Sequence, residues 1–263
     1  MKARLIIGLV IALFSIISYF SSSSVNTITG EKQHIRLTPE QEIALGLQSA
    51  PQMAQEMGGL SNNAQAQALV KKIGQRVVAN SVAAKSPYKF DFHLLADPET
   101  INAFALPGGQ IFITVGLLKL LRTEGELAGV LGHEVGHVVA RHSAEHMAKA
   151  GLTQGLTNAA VIAADPTGQS SGMAQMISSA INMKYGRDDE LEADALGVRL
   201  GGESGYDPRA MLGVMEILNK AGSGRGRPPE MFSSHPNPEN RAEKIKELIA
   251  TQYPNGIPRG LTP

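Results

Sequence analysis

Apolar and polar positions along the chain predict a mostly helical domain with one small sheet. Apolar residues recur at helical spacing over residues 43–47 and 69–77, so two helices are expected before the sheet. Residues 88–94 alternate between apolar and polar side chains, which is typical of a half-buried strand. The runs 101–106 and 110–115 flank a Pro-Gly-Gly turn and are expected to pair as adjacent antiparallel strands.

Helical patterns return after these strands. They cover residues 117–147, 187–200 and 208–219, and a last helix is expected after Asn237, which gives an α+β class overall. Between the first two of these helical patterns, residues 151–183 consist largely of small residues and contain a single charged side chain. Two interpretations stay open for this segment: small-residue helices packed against the domain, or a lid over a cleft.

The first residues have the layout of an export signal or a signal anchor. Lys2 and Arg4 precede an uncharged apolar run over residues 5–20, and serines follow it. No Ala-x-Ala cleavage site is evident, which favours an uncleaved anchor with its basic end in the cytoplasm, while a cleaved signal peptide stays open. The predicted division of the chain is a signal segment at 1–24, a linker at 25–37, one folded domain at 38–252 and a tail at 253–263.

Composition narrows the chemistry. The 24 basic and 24 acidic side chains cancel, so the chain lacks the positive field that nucleic-acid binding usually requires, and no nucleic-acid partner is expected. There is no cysteine, which excludes disulfides, a thiol nucleophile and cysteine ligands. A metal site in this chain therefore has to be built from His, Asp and Glu.

The sequence His-Glu-Val-Gly-His at residues 133–137 lies inside an apolar segment long enough to form a buried helix. Positions four apart on a helix lie about 40° from each other, so His133 and His137 can point at one ion. Glu134 then lies at the edge of the cleft, where its carboxylate can accept a proton from an attacking water. This arrangement is typical of zinc-dependent hydrolysis.

A third protein ligand is needed, because catalytic zinc usually takes three and leaves one position open. His142 lies about 140° round the helix from His137, so it cannot complete the site while that helix stays regular. Glu190 and Asp194 share one face of a later helix, whereas Glu192 points away from Glu190 by about 200°. We therefore predict Glu190 as the ligand and Asp194 as a supporting or proton-handling carboxylate.

Together these motifs resemble peptidase family M48, the gluzincins that include prenyl-protein-processing proteases and bacterial envelope proteases. The resemblance covers roughly residues 38–250, and its motifs lie at residues 102–109, 133–137, 140–143, 190–194 and 234–236. It implies a zincin-like fold, one Zn²⁺ per chain and endopeptidase activity on protein or peptide substrates. It also implies Glu190 as the third ligand and Asp194 as an active-site carboxylate, in agreement with the helical geometry.

The resemblance adds expectations for the substrate cleft. It implies that the strand containing Asn102, Ala103 and Phe104 edges the cleft, where an extended peptide could add as another strand. In the envelope branch of the family, a histidine at the place of His235 can approach the zinc, so we expect His235 to be a fourth, inhibitory ligand or a plain turn residue. Arg241 is a candidate contact for the substrate or transition state.

One N-terminal apolar segment replaces the many spanning helices of the prenyl-protein-processing members. The chain is therefore most similar to bacterial periplasmic quality-control proteases, held at the inner membrane by the N-terminal segment or released by cleavage. Unfolded or misassembled envelope proteins are the expected substrates. The alternative is an envelope chaperone or assembly factor whose zinc site is structural or seldom active.

Overall fold

The computed structural model describes residues 2–164, 185–224, 229–235 and 240–263. A short 3-10 helix covers Val82–Lys85. The other elements, in chain order, are α1 (Lys2–Ser21), β1 (Ser23–Val25), β2 (Lys32–His34), α2 (Pro39–Glu56), α3 (Ala64–Ala79), β3 (Asp91–Leu95), β4 (Ala103–Leu106), β5 (Gln110–Thr114), α4 (Val115–Leu118), α5 (Glu124–Val139), α6 (His142–Ala164), α7 (Arg187–Glu203), α8 (Ala210–Gly224), α9 (Met231–Ser234) and α10 (Arg241–Gln252).

The main sheet has three strands in the order β3-β5-β4. β4 and β5 run antiparallel, as the Pro-Gly-Gly turn predicted, and β3 runs parallel to β5. All five residues of β5 are buried, because this strand lies between the other two and is covered by helices. The predicted α+β class, mostly helical with a small sheet, is confirmed.

The helix α5 runs through the middle of the core. Every residue from Gly125 to Val139 is buried, because α3, β4, α7 and α8 all pack around it. Ile73 of α3 and Ile111 of β5 are fully buried in the same cluster of apolar side chains. A helix that is enclosed on all sides holds its polar residues rigidly, and the histidine pair lies on this helix.

Close contact between α5 and α7 depends on glycine. A Cβ added at Gly136 would lie 3.1 Å from the carbonyl oxygen of Ala193, and one added at Gly197 would lie 3.1 Å from the backbone nitrogen of His133. Larger side chains at these positions would push the two helices apart. The small residues therefore bring the acidic helix α7 within reach of the histidines on α5.

The N-terminal helix α1 packs against α6 through small residues. Gly8 lies so close to Ala159 that an added Cβ would be 2.7 Å from its carbonyl oxygen, and Ser15 packs against Gly155 in the same way. Most other side chains of α1 are large, apolar and exposed. By length and composition α1 could cross a membrane, and it is the single such helix among the residues described.

A two-stranded hairpin, β1 with β2, follows α1 and closes the end of α5. The buried amide of Asn26 donates to the carbonyl oxygen of Val139 at 2.8 Å, and the amide of Gln33 donates to that of Ala140 at 2.6 Å. These carbonyls come from the last turn of α5, where intrahelical partners are missing. The linker predicted at residues 25–37 thus contains part of a structured hairpin.

The predicted helices before and after the sheet correspond to α2, α3, α5, α6, α7, α8 and α10. Of the segment 151–183, residues 151–164 form the second half of α6, and the remainder lies outside the described residues. The interpretations of that remainder, as packed helices or as a lid, stay predictions. The boundaries of the folded domain at 38 and 252 stay predictions as well.

Candidate metal centre

Four buried side chains from three separate parts of the chain converge on one point. They are His133 and His137 of α5, Glu190 of α7 and His235, directly after α9, and one potential ligand atom of each lies within 4.8 Å of all the others. The Nε2 atoms of His133 and His137 are 3.1 Å apart. Glu190 Oε1 lies 3.3 Å from His137 Nε2 and 2.9 Å from His235 Nδ1.

These separations fit a single tetrahedral ion. Ligand atoms at about 2.1 Å from a tetrahedral metal lie about 3.4 Å from each other. The corresponding distances are 3.5 Å from His133 Nε2 to Glu190 Oε2 and 3.4 Å from His133 Nε2 to His235 Nδ1. Glu190 is fully buried, and its Oε2, which lies 3.3 Å from Nη1 of Arg241, accepts no hydrogen bond and is open to a metal. The donor set therefore fits a divalent metal.

Glu134 lies beside this group without belonging to it. Its side chain is fully buried, neither carboxylate oxygen has a hydrogen-bond partner, and Oε1 lies 3.7 Å from Nε2 of His235. Burial raises the pKa of the Glu134 carboxyl. A carboxylate with two unsatisfied acceptors next to a metal site is suited to taking a proton from a water bound there.

Asp194 and Arg241 lie on the side of His133 that faces away from the other candidate ligands. Asp194 Oδ1 lies 3.0 Å from His133 Nδ1, and the Arg241 guanidinium donates to both oxygens of Asp194 at 2.7 and 2.8 Å. Burial raises the pKa of Asp194, but Arg241 and His133 outweigh it and hold that pKa below its ordinary value. Asp194 therefore faces the outer nitrogen of His133 as a carboxylate, and Arg241 is buried against it.

Electrostatic interactions among the protein groups of the centre lower the pKa of its carboxylate ligand and raise the pKa of one imidazole. Burial raises the pKa of Glu190, but the three surrounding histidines outweigh it and hold the pKa well below its usual range. Burial lowers the pKa of His133, but the neighbouring carboxylates of Asp194 and Glu190 outweigh it and raise this pKa to about 9. Burial lowers the pKa of His137 well below its ordinary value. A bound cation would replace the proton on His133.

Nδ1 of His137, which faces away from the other candidate ligands, contacts a residue that the helical geometry did not predict to be there. His137 Nδ1 lies 2.9 Å from Nδ1 of His142, whose Nε2 lies 3.0 Å from Glu192 Oε2. The ring of Tyr185 stacks on that of His137 with 3.9 Å between ring centroids. The prediction that His142 is no ligand assumed one regular helix, whereas α5 ends at Val139 and α6 begins at His142.

The predicted substrate strand lies at the edge of the sheet next to α5. β4 pairs with β5 on one side, and no other described strand pairs with its outer side. Asn102 is buried immediately before β4, and its Oδ1 has no hydrogen-bond partner. Ala103 is buried, while Phe104 is partly exposed and stacks on Phe112. Among the described residues, the short helix α9 contacts this strand, and the backbone N–H of Met231 donates to the carbonyl oxygen of Ile101 just before it.

Comparison with known proteins gives consistent matches. The model of peptidase family M48 matches residues 64–249. The mitochondrial metalloendopeptidase OMA1 of Schizosaccharomyces pombe is 34% identical over 68% of this chain and 52% of its own length. The beta-barrel assembly-enhancing protease of Yersinia pestis is 30% identical over 71% of this chain and 39% of its own length. Metalloprotease YcaL of Escherichia coli is 34% identical over 63% of this chain and 64% of its own length.

The chain thus spans about half, or less, of the OMA1 and beta-barrel assembly-enhancing relatives that it matches. The matched region nevertheless contains α3, all three strands of the main sheet and the helices that supply His133, His137, Glu190 and Arg241. The family match also covers more than half of this chain. This chain belongs to peptidase family M48.

Proposed function

We propose that this protein is a zinc-dependent endopeptidase in which His133, His137 and Glu190 hold the metal and Glu134 is the general base. The observation that carries the proposal is the pair of unpartnered oxygens on buried Glu134, next to a donor set with tetrahedral spacing. Catalytic zinc is usually held by imidazole and carboxylate ligands, and one coordination position stays open for water or substrate. The M48 membership supports the same chemistry.

When bound, zinc lowers the pKa of a coordinated water towards neutrality and polarises the substrate carbonyl. Glu134 accepts the proton of the attacking water and then donates it to the amide nitrogen of the departing product. The raised pKa of Glu134 favours the first transfer, because a stronger base takes the proton more readily. Asp194, itself oriented by Arg241, keeps His133 in the orientation that presents Nε2 to the metal.

The substrate would bind as an extended strand along β4. Its backbone would pair with the free side of Ala103 and Phe104, in the manner of strand addition to a sheet edge. The unpartnered side-chain oxygen of Asn102 is available to accept a hydrogen bond from a peptide N–H. Recognition through backbone groups would suit substrates that are locally unfolded.

His235 supports a proposal of self-inhibition. Its Nδ1 lies within the donor set, so that a metal would have four protein ligands and no position for water. Activity would then require His235 to withdraw. The variant His235→Ala is expected to raise the basal peptidase rate and weaken zinc binding. Unchanged rate and unchanged zinc affinity would contradict this role.

The substrates that we propose are unfolded or misassembled envelope proteins, and the location is the bacterial periplasm. Relatives whose names refer to beta-barrel assembly support this choice, and α1 would hold the chain at the inner membrane. The second candidate is an envelope chaperone or assembly factor with a seldom active zinc site. It is favoured by the fully enclosed, four-donor centre.

One variant separates the two functions. Glu134→Gln keeps the size of the side chain but removes the base, so hydrolysis of a dye-labelled unfolded protein is expected to fall to background while the zinc content stays at one per chain. Glu124→Gln, at the partly exposed start of the same helix, is the matched control and should leave the rate unchanged. A Glu134→Gln protein that retains full cellular function would favour the chaperone. Retained hydrolysis would contradict the assigned base.

A further inference from the structure

A chain of side chains extends from His137 away from the candidate metal. His142 is buried between His137 and Glu192, with its exposed fraction at 1%. Its Nδ1 lies 2.9 Å from His137 Nδ1, and its Nε2 lies 3.0 Å from the Glu192 carboxylate. Both ring nitrogens of His142 are therefore engaged, one on each side.

The backbone places His142 in this position through a break in the helix. Arg141, between α5 and α6, has φ 61°, a left-handed conformation that non-glycine residues seldom adopt. Its guanidinium donates to the carbonyl oxygen of Leu37 at 2.7 Å and to the carboxylate of buried Glu42, which also accepts from the hydroxyl of Tyr88. These contacts hold the break, so that His142 turns back to the outer nitrogen of His137.

The positions of the protons on His137 and His142 follow from which nitrogen of His137 binds the metal. His137 presents Nε2 to the other ligands, so Nε2 carries no proton when a metal is bound and Nδ1 carries it. His137 Nδ1–H then donates to Nδ1 of His142, which must accept. With Nδ1 accepting, the ring proton of His142 lies on Nε2 and donates to Glu192. Each hydrogen bond has one donor and one acceptor, and a single tautomer of His137 satisfies them all.

We infer that His142 and Glu192 are positioning residues that fix the ring orientation and the tautomer of His137, and so set the affinity for the metal. This inference rests on the proposed function, because it assumes that His137 is a ligand. Partners on the outer nitrogen of a ligating histidine typically contribute 10–100-fold to metal affinity. Here the carboxylate acts on the ligand through an intervening imidazole.

The experiment measures zinc affinity of the full-length protein in mild detergent by competition with a chromophoric chelator. The variants are His142→Ala, Glu192→Ala and Glu192→Gln. The control is His146→Ala: His146 Nε2 lies 2.6 Å from Asp189 and likewise joins α6 to α7, but its partner is not a histidine of the donor set. The thermal midpoint of each metal-free variant reports any general loss of structure, and cobalt substitution reports ligand geometry through its visible spectrum.

His142→Ala and Glu192→Ala are expected to lose about 10–100-fold in zinc affinity and to shift the cobalt spectrum. Glu192→Gln should lose less than Glu192→Ala, because the amide oxygen still accepts from His142. His146→Ala should keep wild-type affinity, even if it lowers the midpoint. Should His142→Ala fail to fold, the Glu192 variants decide, since that side chain is 22% exposed.

Wild-type affinity in the folded variants at positions 142 and 192 would overturn the inference. An equal loss in His146→Ala would overturn it too, because the effect would then come from joining the helices. Neither result would affect the proposed function. That function fails under a different outcome, namely no zinc binding by the unaltered chain.

Discussion

Arg241 places a buried guanidinium next to the candidate centre, and its removal is expected to destabilise the protein in the absence of metal. The residue is 3% exposed and donates twice to Asp194, while its Nη1 lies 3.3 Å from Glu190. Arg241→Leu would leave two buried carboxylates without this partner. Breaking a buried ion pair by removing one member costs about 3–5 kcal/mol.

The assay is urea unfolding of the full-length chain in mild detergent, with a chelator and with saturating zinc. With the chelator, Arg241→Leu should lose about 3–5 kcal/mol of unfolding free energy. With zinc the loss should be smaller, because the ion compensates Glu190. The unfolding free energy of Arg241→Lys should lie between those of the wild type and Arg241→Leu, because a lysine ammonium keeps the charge but cannot make the paired hydrogen bonds.

The matched control is Arg199→Leu. Arg199 pairs with Glu203 on α7, but both side chains are substantially exposed, so about 1 kcal/mol or less is expected. If Arg241→Leu in the metal-free protein cost no more than Arg199→Leu, the description of Arg241 as the charge that holds the buried carboxylates would be refuted.

Three further predictions concern the same helices. Gly136→Ala should lower the thermal midpoint and the zinc affinity, because the new methyl group would lie 3.1 Å from the carbonyl oxygen of Ala193. The control is Gly201→Ala, where an added Cβ would have no atom within 4 Å, so both quantities should stay at or above the wild-type values. Apparent zinc affinity should rise about tenfold per pH unit between about pH 7.5 and 8.5, because metal binding displaces the proton that His133 holds with a pKa of about 9. Zinc titrations that give the same affinity at every pH would contradict this prediction. Gln33→Ala should cost about 1–3 kcal/mol in urea unfolding, because the last carbonyls of α5 lose a buried donor, while Gln52→Ala on the exposed face of α2 should cost little.

The local part of the candidate centre could be predicted from the sequence. His133 and His137 are four residues apart on one helix, and Glu190 and Asp194 repeat that spacing on another, so each pair shares a face whatever the rest of the fold does. Glu192, which was expected to point away from Glu190, lies outside the group of four potential ligands. What it meets there, His142, required the three-dimensional structure.

The parts that could not be predicted depend on contacts between distant segments. The left-handed break at Arg141 is held by Glu42, 99 positions earlier, and a regular-helix argument has no access to that contact. The hairpin of β1 and β2 has strands of three residues with few apolar side chains, so its pattern is indistinguishable from a linker. Its two buried amides are recognisable only once the end of α5 is known to need donors.

The central claim is that one zinc ion binds between α5 and α7. The most direct measurement is an anomalous difference map at the zinc absorption edge, from crystals of protein purified without added metal. We expect one peak about 2 Å from Nε2 of His133, Nε2 of His137 and the carboxylate of Glu190. A map with no peak there, or with zinc bound only at other residues, would contradict the account.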